Sequence, residues 1–187
     1  MIKILGIAGS LRKGSLNKAA LKAAQCLVPK NATLDIFESL EDIPPFNQDQ
    51  ENNPPQVVKQ LKDEIRKADA ILFVTPEYNY SIPGVLKNAI DWASRPHGDN
   101  AWESKPVAIM GASSGVLGTA RAQYHLRQVF VFLNIFPLNR PEVMIPNAQD
   151  KFDKQGNLID NHTRDKIKQL LQALVDWTIK LTVKRED

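Results

Sequence analysis

The sequence is poor in the residues that build several common classes of protein. It contains one cysteine, Cys26, which excludes an intramolecular disulfide framework and a cysteine-based zinc site. No uninterrupted apolar stretch reaches the length of about 18 residues that a membrane span requires. The opening "MIKILGIAGS" is too short, and leads too directly into a turn, for a signal peptide. We therefore expect a cytoplasmic protein, with Cys26 as a small buried residue of a helix.

The chain also lacks a strong excess of charge. Its net charge is +3, and acidic and basic residues are interspersed along the chain. Solvated helix faces explain this pattern better than a nucleic-acid or membrane surface, so neither partner is expected. With 187 residues, of which 43% are hydrophobic, the chain can bury one core, and we expect a single domain over residues 1–187.

Short apolar runs alternate with longer amphipathic segments. The predicted strands are residues 2–8, 33–37, 70–75, 106–110 and 142–145. The predicted helices are residues 16–27, 57–68, 82–93, 117–133 and 163–181, with Ser81 as the N-cap of the third.

The runs "ILFV" and "VAIM" are apolar at every position and must be covered on both faces. This predicts an α/β fold, a doubly wound parallel sheet of five strands with helices on both faces. In such a sheet ligands bind outside the carboxyl ends of the strands. Candidate site residues should therefore lie in the loops after the first, third and fourth strands.

The loop after the first strand, "GSLRKGSLN", precedes a helix. Its hydroxyls at Ser10 and Ser15, the guanidinium of Arg12, the amide of Asn17 and the helix N-terminus favour one terminal phosphate. The alternative is that Ser15 only caps the helix, while Arg12 and Asn17 are solvated.

The loop after the third strand begins "TPEYNYS". Pro76 stiffens the turn, Tyr78 offers a planar surface, and Asn79 can hydrogen-bond the edge of a planar heterocycle. Glu77 has no assigned chemical role. Alternatively, the tyrosines are half-buried packing residues and Glu77 is a surface charge.

The loop after the fourth strand contains Ser113, Ser114 and Gly115, where a close ligand would meet backbone donors. An ordinary strand-to-helix turn would explain the glycines almost as well. Together the three loops describe a site for a mononucleotide-like ligand with a flat head.

These motifs resemble the NAD(P)H-dependent FMN reductases of flavodoxin-like fold, whose bacterial members include quinone, azo-dye and chromate reductases. The resemblance rests on "GSLRKGSLN", "TPEYNYSIPGVLKNAIDWASR" and "SSGVLGTARAQYHLRQVFVFL", and it covers nearly the whole chain. One departure is Thr119, where many members carry a glycine.

The resemblance implies strand order 2-1-3-4-5 and FMN as the cofactor, with NADPH or NADH as the co-substrate. Hydride passes through the flavin to a small acceptor by a ping-pong scheme, so no catalytic side chain and no metal are implied. The first loop would hold the phosphate. The second would lie against the isoalloxazine ring through Pro76, Glu77, Tyr78 and Asn79, and the third would close its other side through Ser113, Ser114 and Gly115.

The family also implies a homodimer or homotetramer, and the apolar run at residues 129–133 supports a contact there, with Arg121, Tyr124 and Glu142 as polar partners. A helix buried on two sides explains that run equally well. The other readings of the chain are an FMN electron carrier and a phosphate-binding module without flavin. The acceptor and the preferred nicotinamide stay open, and residues 38–56 are expected to form a polar lid.

Overall fold

The structure is a computed structural model that describes residues 1–183; the last four positions of the expected domain lie outside the described residues. The strands are β1 Ile2–Ala8, β2 Ala32–Ile36, β3 Ala70–Val74, β4 Pro106–Ala112, β5 Phe136–Pro137 and β6 Val143–Ile145. The helices are α1 Leu16–Leu27, α2 Gln56–Lys67, α3 Gly84–Ala93, α4 Ala120–Phe132 and α5 Asn161–Val183.

The strands form one parallel sheet in the order β2-β1-β3-β4-β5, which confirms the predicted fold and strand order. The fifth position is divided between two short strands. β5 pairs with the start of β4, Pro106 opposite Phe136, and β6 pairs with its end, Met110 opposite Val143. Pro137 ends β5, and Pro141 lies between β5 and β6. Neither proline has an N–H group, so a continuous ladder of hydrogen bonds to β4 cannot form there.

Helices cover both faces of the sheet, as continuously buried β3 and β4 require. On one face, α2, α3 and α4 pack through side chains such as Leu61, Ile90 and Phe130. On the other face, α1 and α5 pack through side chains such as Leu21 and Leu171. Within the described range, no helix is both long and apolar enough to cross a membrane.

Two expectations about helices are wrong. Ser81 does not cap α3, because that helix begins at Gly84 behind Pro83, and Ser81 instead closes a hairpin. Cys26 is exposed rather than buried, because it lies on the outer side of α1, away from Ala20, Leu21 and Ala24.

Residues 38–56 are not a simple polar lid. Leu40 and Ile43 are buried in the core, and the carbonyl oxygen of Pro44 accepts hydrogen bonds from Asn88 and Trp92 of α3, each at 2.8 Å. These apolar residues pack the segment against the rest of the core. The lid prediction was wrong because it rested on the many polar residues around them.

Candidate functional site

Three loops meet at the carboxyl edge of the sheet, because β1, β3 and β4 are neighbours. Backbone hydrogen bonds join the first residue of two of these loops to the neighbouring strand. The N–H of Gly9 donates to the carbonyl oxygen of Val74 at 2.9 Å, and that of Thr75 donates to Met110 at 3.0 Å. The structure thereby brings together the three segments that the sequence singles out.

The loop after β1 presents unused hydrogen-bond donors. Ser10 is only 3% exposed, and its hydroxyl has no hydrogen-bond partner among the described residues. In residues 1–183, the backbone N–H groups at positions 11–14 likewise donate to no other group. The guanidinium of exposed Arg12 lies 3.7 Å from the point where a Cβ of Gly14 would be. A loop with several unused donors and a nearby guanidinium is suited to bind an anion.

Ser15 and Asn17 instead hold this loop in place. The hydroxyl oxygen of Ser15 accepts from the N–H groups of Asn17 and Lys18 at 3.2 and 3.3 Å, which makes it the N-cap of α1. The buried Asn17 amide donates to the carbonyl oxygen of Ala112 at 2.9 Å and accepts from its N–H at 2.8 Å. Asn17 therefore fixes the loop against β4, and direct contact between Asn17 and a ligand stays a prediction.

The loop after β3 is a tight hairpin. Tyr78 and Ser81 exchange two backbone hydrogen bonds, at 3.1 and 2.9 Å, and the two residues between them have positive φ, 50° at Asn79 and 67° at Tyr80. Such values are typical of two-residue hairpin turns. The turn leaves Tyr78 and Tyr80 52% and 66% exposed, so neither is a packing residue of the core.

Glu77 joins this hairpin to α4. Its Oε2 accepts from the backbone N–H groups of Arg121 and Ala122 at 3.0 and 3.1 Å, and its Oε1 lies 2.5 Å from Nη2 of Arg121. The Arg121 guanidinium also lies 3.4 Å from the centre of the Tyr80 ring. Glu77 is therefore the cap of α4, supplied from another loop, and its side chain is only 8% exposed.

No local pattern indicates this role, because Glu77 lies 44 positions before Arg121. Thr119, directly before α4, has the residue type of an ordinary N-cap. Thr119 makes no capping hydrogen bond, and its φ is 72°, a value that β-branched residues rarely adopt. It is 1% exposed, and its hydroxyl accepts from Gln123 at 3.1 Å. A Cβ on Gly111 would lie 1.9 Å from Oγ1 of Thr119, so that glycine makes the room for it.

The loop after β4 turns at the two expected serines. The Ser113 hydroxyl accepts from the N–H of Gly115 at 3.0 Å, and the N–H of Ser113 donates to the carbonyl oxygen of Ile145 at 3.0 Å. Ser114 and Gly115 are exposed. The loop therefore presents backbone and a small side chain to the space beside the hairpin.

Comparison with known proteins assigns this geometry to a family. The sequence model of the NADPH-dependent FMN reductases matches residues 2–150. This chain belongs to that family.

Full-length relatives carry related names. An NAD(P)H-dependent FMN reductase of Pseudomonas aeruginosa is 55% identical over 181 residues, 96% of this chain and 97% of the relative. A quinone reductase of Escherichia coli K12 is 43% identical over 179 residues, 94% and 95% of the two chains. The solved structure of FerB, a flavoenzyme NAD(P)H:(acceptor) oxidoreductase from Paracoccus denitrificans, has a TM-score of 0.88 and 37% identity, and the match covers 96% of this chain and 98% of FerB.

Membership confirms the oxidoreductase class, FMN as the cofactor and NAD(P)H as its co-substrate. The residues present suit this FMN reductase assignment. Among residues 1–183, the Ser10 hydroxyl and the N–H groups at positions 11–14 have no hydrogen-bond partner and so suit a terminal phosphate. The exposed Tyr78, Ser114 and Gly115 suit a flat ring. The contact of each individual residue with FMN stays a prediction.

Proposed function

We propose that this FMN reductase passes two electrons from NAD(P)H to quinones by a ping-pong mechanism. The observation that carries the proposal is the exposed surface formed by Tyr78, Tyr80 and the backbone of residues 113–115. An open, partly aromatic surface of this kind lets a nicotinamide and then a flat acceptor use one face in turn. Relatives named quinone reductases support this acceptor class.

Bound FMN would supply the redox chemistry, which is the acceptance of hydride and the delivery of two electrons. The protein would hold FMN and the substrates in position. We assign the phosphate to Ser10, Arg12 and Ser15, with Asn17 holding their loop. Arg12 adds a positive charge that is free of any ion pair within residues 1–183.

The ring would lie against the second and third loops. We assign Pro76, Tyr78 and Asn79 to one side of it, with Glu77 fixing their position through α4. Ser113, Ser114 and Gly115 close the other side, and their backbone N–H groups can stabilise negative charge on the pyrimidine end of the ring. In this scheme no side chain acts as a general acid. Ser114, Gly115, Tyr78 and Asn79 are exposed, so water can reach the acceptor and donate the protons.

An absorbance spectrum and initial-rate kinetics test the proposal. The purified protein is expected to be yellow and to be bleached anaerobically by NAD(P)H. Initial rates with benzoquinone should give parallel double-reciprocal lines. Azo dye and chromate are assayed in parallel as further acceptors. Bound FMN that is not reduced by either nicotinamide would favour an electron carrier, and intersecting lines would exclude the ping-pong scheme.

The phosphate assignment has its own test. Arg12→Ala should weaken FMN binding by about tenfold, as expected for loss of one charge-assisted contact. Lys30→Ala is the matched control, because Lys30 is exposed in the turn before β2, at the opposite edge of the sheet. Equal flavin retention in the two variants would show that Arg12 does not bind the phosphate.

We propose that the protein acts as a single FMN-binding unit that assembles into a homodimer or homotetramer through α4. Val131 and Phe132 are 82% and 84% exposed, a costly arrangement for an isolated chain. Two turns earlier on α4, a hydrogen bond to Glu142 raises the pKa of Tyr124. Phe132→Asp should lower the sedimentation coefficient, whereas Gln128→Asp, which adds the same charge beside the apolar pair, should lower it less.

We further propose a cytoplasmic location, which suits an exposed, unpaired Cys26. Secretion of the protein by its native host would contradict it.

A further inference from the structure

The hairpin after β3 meets α4 at a second point, where the side chains of Ser81 and His125 come together. Oγ of Ser81 lies 3.0 Å from Nδ1 of His125, which is hydrogen-bond distance. Ser81 is half-buried and His125 is exposed. Among residues 1–183, the Ser81 hydroxyl has no other hydrogen-bond partner. The contact therefore contributes little to the packing of the core, and its effect is on the hairpin.

The two contacts between the hairpin and α4 have the same register along the chain. Glu77 pairs with Arg121 and Ser81 pairs with His125, and 44 positions separate the partners in each pair. Residues four apart on a helix lie on one face, one turn from each other. One face of α4 therefore holds both the residue before the hairpin and the residue that ends it. Between these two points, the Arg121 guanidinium covers the ring of Tyr80.

A restraint on Ser81 is also a restraint on Tyr78. The N–H and the carbonyl oxygen of Ser81 both form hydrogen bonds with the backbone of Tyr78, at 2.9 and 3.1 Å. Asn79 and Tyr80 are exposed, so the tip of the hairpin gains little support from the core. A two-stranded hairpin is only marginally stable on its own in water, so its position depends on its anchors. The contact with His125 thereby restrains Tyr78, which we assign to the flavin ring.

We propose that His125 is a positioning residue for the flavin: through Ser81 it fixes where Tyr78 lies relative to residues 113–115, and so sets the affinity for FMN and for a flat acceptor. The inference rests on the proposed function and gives a role to His125, to which that function assigns none. Because the Ser81 hydroxyl can both donate and accept, the contact forms with either neutral tautomer of the histidine and with the imidazolium. The role therefore requires no proton transfer.

Titration of the full-length protein with FMN tests the proposal without turnover. His125→Ala and Ser81→Ala should each weaken FMN binding by about threefold, the effect of one neutral hydrogen bond, and each should shift the visible spectrum of the bound flavin. The double variant should bind FMN no more weakly than either single variant, because both substitutions remove the same contact. His162→Ala is the matched control, since His162 is exposed on α5, which packs on the other face of the sheet.

Conservative replacements separate positioning from a loss of local structure. Asparagine carries its amide atoms on Cγ, the atom that bears Nδ1 in histidine, so His125→Asn should restore FMN affinity, whereas the longer His125→Gln should not. Ser81→Thr keeps the hydroxyl and should behave like wild type. In turnover, the alanine variants should raise KM for benzoquinone and change kcat less, because the hairpin forms the acceptor surface but carries no hydride.

Two kinds of result would overturn the inference and leave the proposed function intact. One is alanine variants with the FMN affinity and flavin spectrum of wild type, even if their thermal stability falls, because the pair would then be a purely structural contact. The other is losses that add up in the double variant, or a His125→Asn variant as weak as His125→Ala. Failure of the wild-type protein to bind FMN or to reduce benzoquinone would instead overturn the proposed function.

Discussion

The loop after β1 is held from inside the sheet, whereas the hairpin after β3 is held at the surface. Asn17 is 4% exposed and satisfies both backbone groups of Ala112 in β4. Glu77 is nearly as buried, but its partner Arg121 is 39% exposed, so that water can take over part of the interaction. The two loops that we assign to one cofactor are therefore fixed with different tolerance to substitution.

The difference agrees with the role that we propose for each loop. A phosphate requires several donors in a fixed arrangement, and an interior amide locks that arrangement to the strand. The hairpin after β3, which we assign to the flavin ring, leaves its tyrosines exposed, and Glu77 connects it to α4 rather than to the interior of the sheet. Since α4 follows the third loop directly, Glu77 also fixes the second and third loops relative to each other.

Asn17→Ala should have the largest effect, because it leaves the buried N–H and carbonyl of Ala112 without partners. We expect a loss of about 2–4 kcal/mol in the free energy of unfolding, measured by urea denaturation, together with weaker FMN binding. Asn17→Asp should be intermediate, since it accepts from the N–H but cannot donate to the carbonyl. Lost FMN at unchanged stability would instead make Asn17 a direct ligand.

Glu77→Ala should cost less, about 1–2 kcal/mol, which is the range for a lost helix cap. Glu77→Gln should recover part of the loss, because its amide oxygen still accepts from the N–H of Arg121 or Ala122. FMN affinity and the visible spectrum of the bound flavin report the position of the ring. If Glu77→Ala changed stability but neither flavin property, the two loops would not be coupled through α4.

Thr119→Ala should be the next smaller effect, about 1 kcal/mol, since it removes the hydroxyl that accepts from Gln123 but keeps the unfavourable φ. Thr119→Gly loses the same hydrogen bond and relieves backbone strain of about 1 kcal/mol, so we expect it to lie near wild type. Thermal unfolding of the pair measures the difference. A glycine variant less stable than the alanine variant would refute the strain.

Asp153→Asn should have the smallest effect, because Asp153 is only partly buried and its hydrogen bonds stay within its own turn. The side-chain hydrogen bond from Asn157, followed by its backbone N–H, lowers the pKa of Asp153 below its ordinary value of 3.8. A lowered pKa stabilises the fold above pH 3.8, and the gain is lost as the pH falls through the folded pKa. The variant should differ from wild type in urea midpoint at pH 7 and converge with it at low pH. A difference that grew on acidification would contradict the assignment.

Prediction from sequence succeeded where a local pattern was sufficient. Strict apolar runs located β3 and β4, and the helix after "NPP" starts within one residue of its expected position. Prediction failed where a distant partner decided the outcome. Ser81 was predicted as an N-cap but closes a hairpin, and Glu77, which had no assigned role, caps α4.

The layered α/β fold, the three loops and their chemical character can be predicted from the sequence, because periodicity and turn chemistry act over a few residues. Which polar groups are already hydrogen-bonded depends on the tertiary structure. Asn17 meets Ala112 across 95 positions, and Glu77 meets Arg121 across 44. A cavity of about 690 Å³ beside the loop after β1 is likewise lined by both α1 and residues 152–156. Hydrogen bonds and cavities depend on distances between elements that are remote along the chain, and no local pattern encodes those distances.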